Sequence, residues 1–585
     1  MTGSRLQVLL AAIAIAAGSL CAQAPITLVV VDPPGVGFND PTPVEPVGGN
    51  PGTTIGEQRL IAFRYAAAIW SSKLESPTPI RVRARFSAIP CTEKSGVLAT
   101  TGATDWISFP NPDPEIIPNV WYPIALANRL AETVLDPDVE EIQTTFNPNL
   151  GQPDCLANYE WYYGLDNHAR ADQSDMVATL LHELAHGLGF GPFSTQDFSN
   201  FRDRGDVFTE YLLDTGTGKP WKKMTDEERA VSAANTHAVV WNGINVRKSV
   251  PDVLQRGAPT LRIVEPGSIA GDYYVQTASF GTPLSAGGVS GQVAAAQDAT
   301  DAEGESTMDA CSRILNTAEV AGRIALAERG TCSFVQKARN VQAAGAIGLI
   351  VTNNVDGTLV ISLTGEDPSI TIPVVHITLA DGNALRAALA DFQPVRAELL
   401  ADTAAWAGAD RDGRPMLFNA TPAATGATMC HWDPIATPNQ LMEPDIQDDL
   451  TYSVEPPRDL TLPVLRDLGW FADFDGVPDG IDQCPGSART ANVILQGCDT
   501  GVKNTAFPTG CRISDYFKPC DDAAVDSGDF GACVGAVSRQ LLQSRTIDPR
   551  ESQRIQACVT PSAQLIFTPS IREATKGVRT RSVER

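Results

Sequence analysis

Histidine is scarce in this chain, with six residues in 585, so any two at a metal-ligand spacing carry unusual weight. Basic residues are in deficit as well. Forty-four Lys and Arg against 69 Asp and Glu leave a formal charge of -25 and a sequence pI near 4.6. A nucleic-acid partner needs a basic surface to meet its phosphates, so that class is excluded. The acidity instead favours solubility and tolerance of divalent cations. Long apolar runs are also lacking. Beyond the first two dozen residues, no stretch reaches the roughly 18 apolar residues of a membrane-spanning helix.

The one early apolar run, Leu6 to Leu20, follows Arg5 and precedes Ala22-Gln23-Ala24, so residues 1–24 read as a secretory signal with a small-residue cleavage site. The mature chain is expected to be secreted, to the extracellular space or the periplasm. Cysteine, by contrast, is plentiful at 12. In an oxidising compartment most should pair. Sequence clustering couples Cys91 with Cys155 and Cys311 with Cys332. Cys484, Cys498, Cys511, Cys520, Cys533 and Cys558 form a tail group with fifteen possible connectivities, and Cys430 is left over. The length exceeds one hydrophobic core and implies three or four modules.

His182-Glu183-Leu184-Ala185-His186 is the most informative stretch. Histidines four apart lie on one face of a helix, so both imidazoles reach one ion, and the intervening glutamate can act on water beside it. The context is helical: Met176, Val177, Leu180, Leu181, Leu184 and Leu188 recur at helical spacing and give a buried face. Asp172 or Ser174 can cap the start, and Gly187 and Gly189 can end it. This motif predicts a zinc-dependent peptidase with Glu183 as general base.

Along the chain, residues 25 to about 55 are rich in Pro, Gly and Asn and read as an extended lead-in. Thr54 to Leu74 has helical periodicity, and Ile80 to Phe86 alternates apolar residues with three arginines as a half-buried strand does. From about 258 the character changes: strand over Gly322–Gly330, helix over Cys332–Ala344, strands over Ile347–Thr352 and Ile372–Ile377, and a helix through Ala380–Leu389. Gly322-Arg323-Ile324-Ala325-Leu326-Ala327-Glu328-Arg329-Gly330 with Cys332-Ser333-Phe334, Ala343-Ala344-Gly345-Ala346 and Ile372-Pro373-Val374-Val375 resembles a protease-associated (PA) domain. That resemblance implies a non-catalytic insert concerned with substrate access or protein interaction.

A catalytic zinc usually takes three protein ligands and keeps one position open. The compact metzincin pattern would put the third ligand six residues after His186, where Pro192 stands and cannot ligate. His431 lies far downstream, with Met442 eleven residues after it. This arrangement resembles the leishmanolysin-like metzincins, which implies that His431 is the third ligand and Met442 the methionine of a turn beneath the metal. The alternative is Glu210, which forms an ExxxD pattern with Asp214, 24 residues past His186 and similar to the thermolysin-like gluzincins. His168, His237 and His376 lack a ligand spacing and read as structural or surface residues.

Asp473, Asp475, Asp479 and Asp482 lie on a Gly-containing loop ending in Cys484-Pro485. Closely spaced carboxylates suit calcium, and the loop resembles a thrombospondin type 3 repeat. The region after it has helical spacing from Ile513 to Leu542 and a basic end from Lys576, expected to be disordered.

The expectation is thus a multidomain α+β protein: a metzincin-type zinc peptidase domain split by an α/β PA-like insert, then a calcium loop and a small disulfide-rich helical tail. Its boundaries are 1–24 signal, 25–257 first catalytic part, 258–400 insert, 401–471 second catalytic part, 472–486 calcium loop and 487–585 tail module. The expected activity is a secreted zinc endopeptidase acting on protein or peptide substrates, with Zn2+ and Ca2+ as cofactors. The alternative is a catalytically silent, calcium-stabilised surface protein that binds other proteins through its PA-like domain.

Overall fold

The computed structural model describes residues 24–559, apart from 75, 94, 111–115, 195–197, 236, 301–305, 356–362, 420–427, 446–448, 472–481, 485–486, 489 and 525–526. The signal segment and the basic end therefore lie outside the described residues. The chain forms two compact units divided after Phe471. The first combines a helix-and-sheet body with a large inserted sheet domain; five disulfides run through the chain as a whole.

The body starts with strand β1 (Ile26–Val30), then helix α1 (Ile55–Lys73) and strand β2 (Ile80–Phe86). The lead-in therefore holds a strand that its Pro- and Gly-rich composition concealed. α1 begins where Thr54 accepts from the Glu57 N–H and Glu57 reaches back to the Thr54 backbone, a reciprocal cap. β2 buries Ile80, Val82, Ala84 and Phe86, while Arg81 pairs with the fully buried Glu141 at 2.9 Å. Strands β3 (Ala99–Ala103) and β4 (Ile142–Phe146) complete a sheet of order β1-β2-β4-β3. β1, β2 and β4 run parallel, and β3 is the antiparallel edge.

The HExxH helix, α2 (Met176–Leu188), packs against β3, β4 and α1. Its cap is Asp175, which accepts from Val177 N and Ala178 N, and not Asp172 or Ser174 as the sequence suggested. A short strand, Gln173–Asp175, carries the extended chain one residue further than expected. Gly187 does not end the helix either. A Cβ there would sit 2.5 Å from Cγ2 of Ile142, so this glycine lets α2 lie close on β4. Gly189, at φ 118°, makes the left-handed terminus. Two indoles anchor the backbone of α2: Trp70 donates to Leu181 O at 3.1 Å and Trp470 to Leu188 O at 2.9 Å.

After helix α3 (Ile244–Val253) the chain enters the inserted domain. Its strands are β5 (Arg256–Glu265), β6 (Gly271–Tyr274), β7 (Gln276–Thr277), β8 (Val289–Ala295) and β9 (Ile324–Glu328), followed by helix α4 (Phe334–Ala343). Strands β10 (Gly348–Thr352) and β11 (Val374–Ile377), helix α5 (Leu379–Ala390) and strand β12 (Arg396–Trp406) complete it. The sheet order is β6-β5-β12-β8-β9-β10-β11-β7, with β8 to β11 parallel. Both faces are covered, which explains the unbroken apolar runs. Ala325, Ala327, Leu349 and Val351 join the core beneath α4, whereas Ile324, Leu326 and Ile350 join that beneath α5. β5 and β12 pair antiparallel from Arg256↔Trp406 to Glu265↔Arg396, so the insert leaves and rejoins the body at one place.

Beyond the insert, helix α6 (Thr461–Leu468) locks onto the segment that preceded it. The Asp467 carboxylate, fully buried, accepts from the Trp241 indole at 2.7 Å, Asn245 N at 2.8 Å and Asn245 Nδ2 at 2.9 Å.

In the second unit, strands β13 (Asn492–Leu495) and β14 (Cys498–Lys503) form a hairpin that helical spacing did not foretell. Helices α7 (Lys518–Ala523), α8 (Ser527–Gln543) and α9 (Pro549–Ala557) follow. Val493, Val502, Phe517, Phe530, Val534 and Ile555 form its core. The tail connectivity is Cys484–Cys511, Cys498–Cys558 and Cys520–Cys533.

Two outcomes are expected from these contacts. Asp467→Ala strands three buried donors and should lower unfolding free energy by about 3 kcal/mol, read from the denaturant midpoint. Excising 259–400 and closing the gap with a short flexible linker should leave a folded chain with a cooperative thermal transition, because β5 and β12 already bring the ends together. A shortened chain without a cooperative transition would show that the insert is part of the body's core.

Candidate metal centre

α2 presents His182 and His186 on one face, and the leucines of the other face are buried against the body. His431 comes from a segment after the insert, where Phe418 N donates to His431 O at 2.9 Å and fixes the backbone. The ring nitrogens of His182, His186 and His431 all lie within 4.8 Å of one another, the one such metal-competent group among the described residues.

The hydrogen bonds decide which nitrogens face the centre. Nδ1 of His182 donates to Leu441 O at 2.7 Å, and Nδ1 of His186 donates to Phe190 O at 2.7 Å. A carbonyl can only accept, so both neutral rings carry their proton on Nδ1 and a lone pair on Nε2. Those Nε2 atoms nevertheless stand 3.1 Å apart, and His182 Nε2 is 3.2 Å from His431 Nε2. Converging lone pairs repel unless a cation lies between them. Nitrogens about 2.05 Å from a tetrahedral zinc would be separated by about 3.4 Å, close to this spacing. Burial pushes His182 down to about 3 and His186 down to about 4, which keeps both rings neutral and able to ligate.

Glu183 is only 6% exposed, and its Oε2 has no hydrogen-bond partner. Burial pushes its carboxyl up to about 7, with a smaller opposing pull from the neighbouring Thr101. A nearby cation would stabilise the charged form and pull that value back down. Thr101, on edge strand β3, was not found by sequence reasoning. It sits in a Thr-Thr-Gly run without motif or spacing, and only the fold brings it beside α2 and within 2.6 Å of the Thr144 hydroxyl.

Met442 is fully buried, in the turn that supplies the Leu441 carbonyl to His182. Its own carbonyl accepts from Trp432 N at 2.7 Å, which ties the turn to the residue after His431. Glu210 is not brought to the histidines; its carboxylate pairs with Lys222 at 2.9 Å. Cys430 forms no disulfide with any described residue, and its Sγ lies 3.3 Å from His431 Nδ1. Burial pushes its thiol up to about 12, so it is a neutral neighbour and not a competing thiolate.

The remaining histidines lie elsewhere. His168 is exposed beside Asp166 at 3.6 Å, His237 pairs with Asp433 at 2.8 Å, and His376 is buried on β11 of the insert. Of the acidic loop, Asp473, Asp475 and Asp479 lie outside the described residues. Asp482 is buried in the second unit, where it accepts from Cys484 N at 2.7 Å.

Residues 289–385 match the PA domain family, so the chain contains a PA domain within the inserted sheet. The chain is similar over 102 residues, at 39% identity, to ER degradation-enhancing alpha-mannosidase-like protein 3 of Xenopus laevis, covering 16% of this chain and 11% of that protein. It is 37% identical over 71 residues to the minor extracellular protease Vpr of Bacillus subtilis (strain 168), covering 12% and 8%. It is 39% identical over 69 residues to the aminopeptidase YwaD of Bacillus subtilis (strain 168), covering 12% and 15%. The chain thus spans only 8–15% of the length of these relatives, whose names describe different activities. Among solved structures, a zinc aminopeptidase from Bacillus subtilis is 22% identical and covers 27% of this chain and 37% of that one. Its TM-score of 0.19 is too low to carry any inference.

His431→Ala should lower bound zinc per chain, measured by elemental analysis after dialysis, whereas Glu210→Ala should leave it unchanged. The reverse pattern would make Glu210 the third ligand.

Proposed function

We propose that this protein is a secreted zinc-dependent endopeptidase. The observation that carries the reading is the convergence of three histidine ring nitrogens beside a buried carboxylate with one open oxygen. In this reading His182, His186 and His431 hold the metal, and Met442 occupies the turn that orients His182. Zinc there would supply Lewis acidity toward the scissile carbonyl and make water nucleophilic near neutral pH.

The chain's own residues do the rest. Leu441 and Phe190 hold two imidazoles in the ligating tautomer through their carbonyls. Glu183 takes a proton from the attacking water and delivers it to the leaving amine. Export is supported by the disulfides, and none of the described helices is long and apolar enough to cross a membrane. The PA domain is assigned a role in substrate access, because its boundary strands join the body between the two halves of the site. The acidic loop is assigned calcium on its sequence alone.

Glu183→Gln should retain zinc while losing casein hydrolysis by at least roughly 100-fold, since an amide fills the same space but cannot accept the proton. A variant keeping more than about a tenth of the activity would remove the general-base role. Wild-type protein that holds zinc yet cleaves neither casein nor peptides would instead favour the silent binding protein.

A further inference from the structure

A cavity of about 360 Å³ opens beside α2 on the N-terminal side of the metal centre. Ala178 lines it, and Ala178 precedes His182 by four residues, so the two share one helix face about 6 Å apart along the axis. Leu98, Leu156 and Leu450 contribute apolar wall. A cavity of this size is within the range of side-chain and ligand pockets, roughly 300–1,000 Å³.

Its charges are unevenly committed. Arg170 lines the cavity, but its guanidinium is held by Glu160 and Asp172, each at 3.0 Å. Asp175 is also engaged: Oδ1 accepts from Val177 N and Ala178 N, and Oδ2 accepts from the Tyr452 hydroxyl at 2.8 Å. Asp445 is different. It lines the cavity with its side chain exposed to solvent, and it makes no hydrogen bond or ion pair to any described residue. It follows the Met442 turn by three residues, so the same segment that orients His182 places this carboxylate.

We infer that this cavity receives the substrate side chain next to the scissile bond, and that Asp445 makes it select lysine or arginine. This rests on the peptidase reading and names its substrate class. The methylenes of a basic side chain would lie along the leucines, while its cation reaches Asp445. The alternatives fit worse. A glutamate would meet an uncompensated carboxylate, and an aliphatic residue would gain nothing from it. The net charge of -25 also raises the local concentration of basic peptides.

The test uses the zinc-loaded full chain with internally quenched peptides that differ only in the residue flanking the cleaved bond: lysine, arginine, leucine or glutamate. Basic peptides should exceed the leucine peptide in kcat/KM by roughly tenfold, the scale of one hydrogen bond to a charged group. Asp445→Asn should reduce that ratio to below about threefold, and Asp445→Lys should turn the preference toward glutamate. Zinc content measured on each variant shows that it has folded. Equal rates for basic and leucine peptides in the wild type, or a ratio that survives both substitutions, would overturn the assignment while leaving a peptidase. Zinc-loaded wild type that cuts no peptide and no casein would overturn the peptidase reading and this inference with it.

Discussion

The arrangement of the site depends on two carbonyl groups. By accepting from Nδ1 of His182 and His186, Leu441 and Phe190 oblige both rings to turn unprotonated nitrogens toward each other. Among the described residues, those nitrogens have no partner except one another and His431. The two carbonyls come from different places: Phe190 from just past the end of α2, and Leu441 from a turn after the insert. Ring orientation is therefore a property of the assembled domain and not of the HExxH helix alone.

Assembly has to bring His431 back across about 245 residues of intervening chain. Closing a flexible loop of that length carries an entropic cost that grows only slowly with length, but the ends must still be held. Here β5 and β12 pair and return the chain to its point of departure. Asp467 and Trp470 then fasten the returning segment, one to the residues before the insert and the other to the last turn of α2. The inserted sheet has its own cores on both faces, so it can sit in the middle of the body without lending it hydrophobic residues.

Much of this was legible where a short-range pattern determines the outcome. The i, i+4 histidines, the alternation of Ile80 to Phe86 and the apolar runs of β9 to β11 all follow from local periodicity, and the observed elements lie within a few residues of those expectations. What local pattern could not carry was set by packing. β1 is a strand because it pairs with β2, although its neighbourhood reads as loop. Gly187 looked like a stop signal and is instead a contact with Ile142. Thr101 gained a place beside Glu183 from its position on an edge strand, and Asp175 became the cap because the preceding strand ran one residue longer.

The buried carboxylates separate structure from chemistry. Asp467 accepts from an indole, a backbone amide and a side-chain amide, and Asp459 accepts from Leu441 N and Thr461 N. Such groups offset the cost of burial by taking every nearby donor, and they fasten segments together. Glu443, in the Met442 turn, keeps one oxygen open but faces other acids. Glu183 keeps one open beside three imidazole nitrogens, on a helix whose remaining face is saturated with apolar contacts. An unsatisfied buried oxygen is costly, and this one lies on the residue next to a histidine of the metal-competent group. In the proposed reading, a water shared with a cation would satisfy both the oxygen and the crowded ring nitrogens, and that would set Glu183 apart from the fastening role of Asp467.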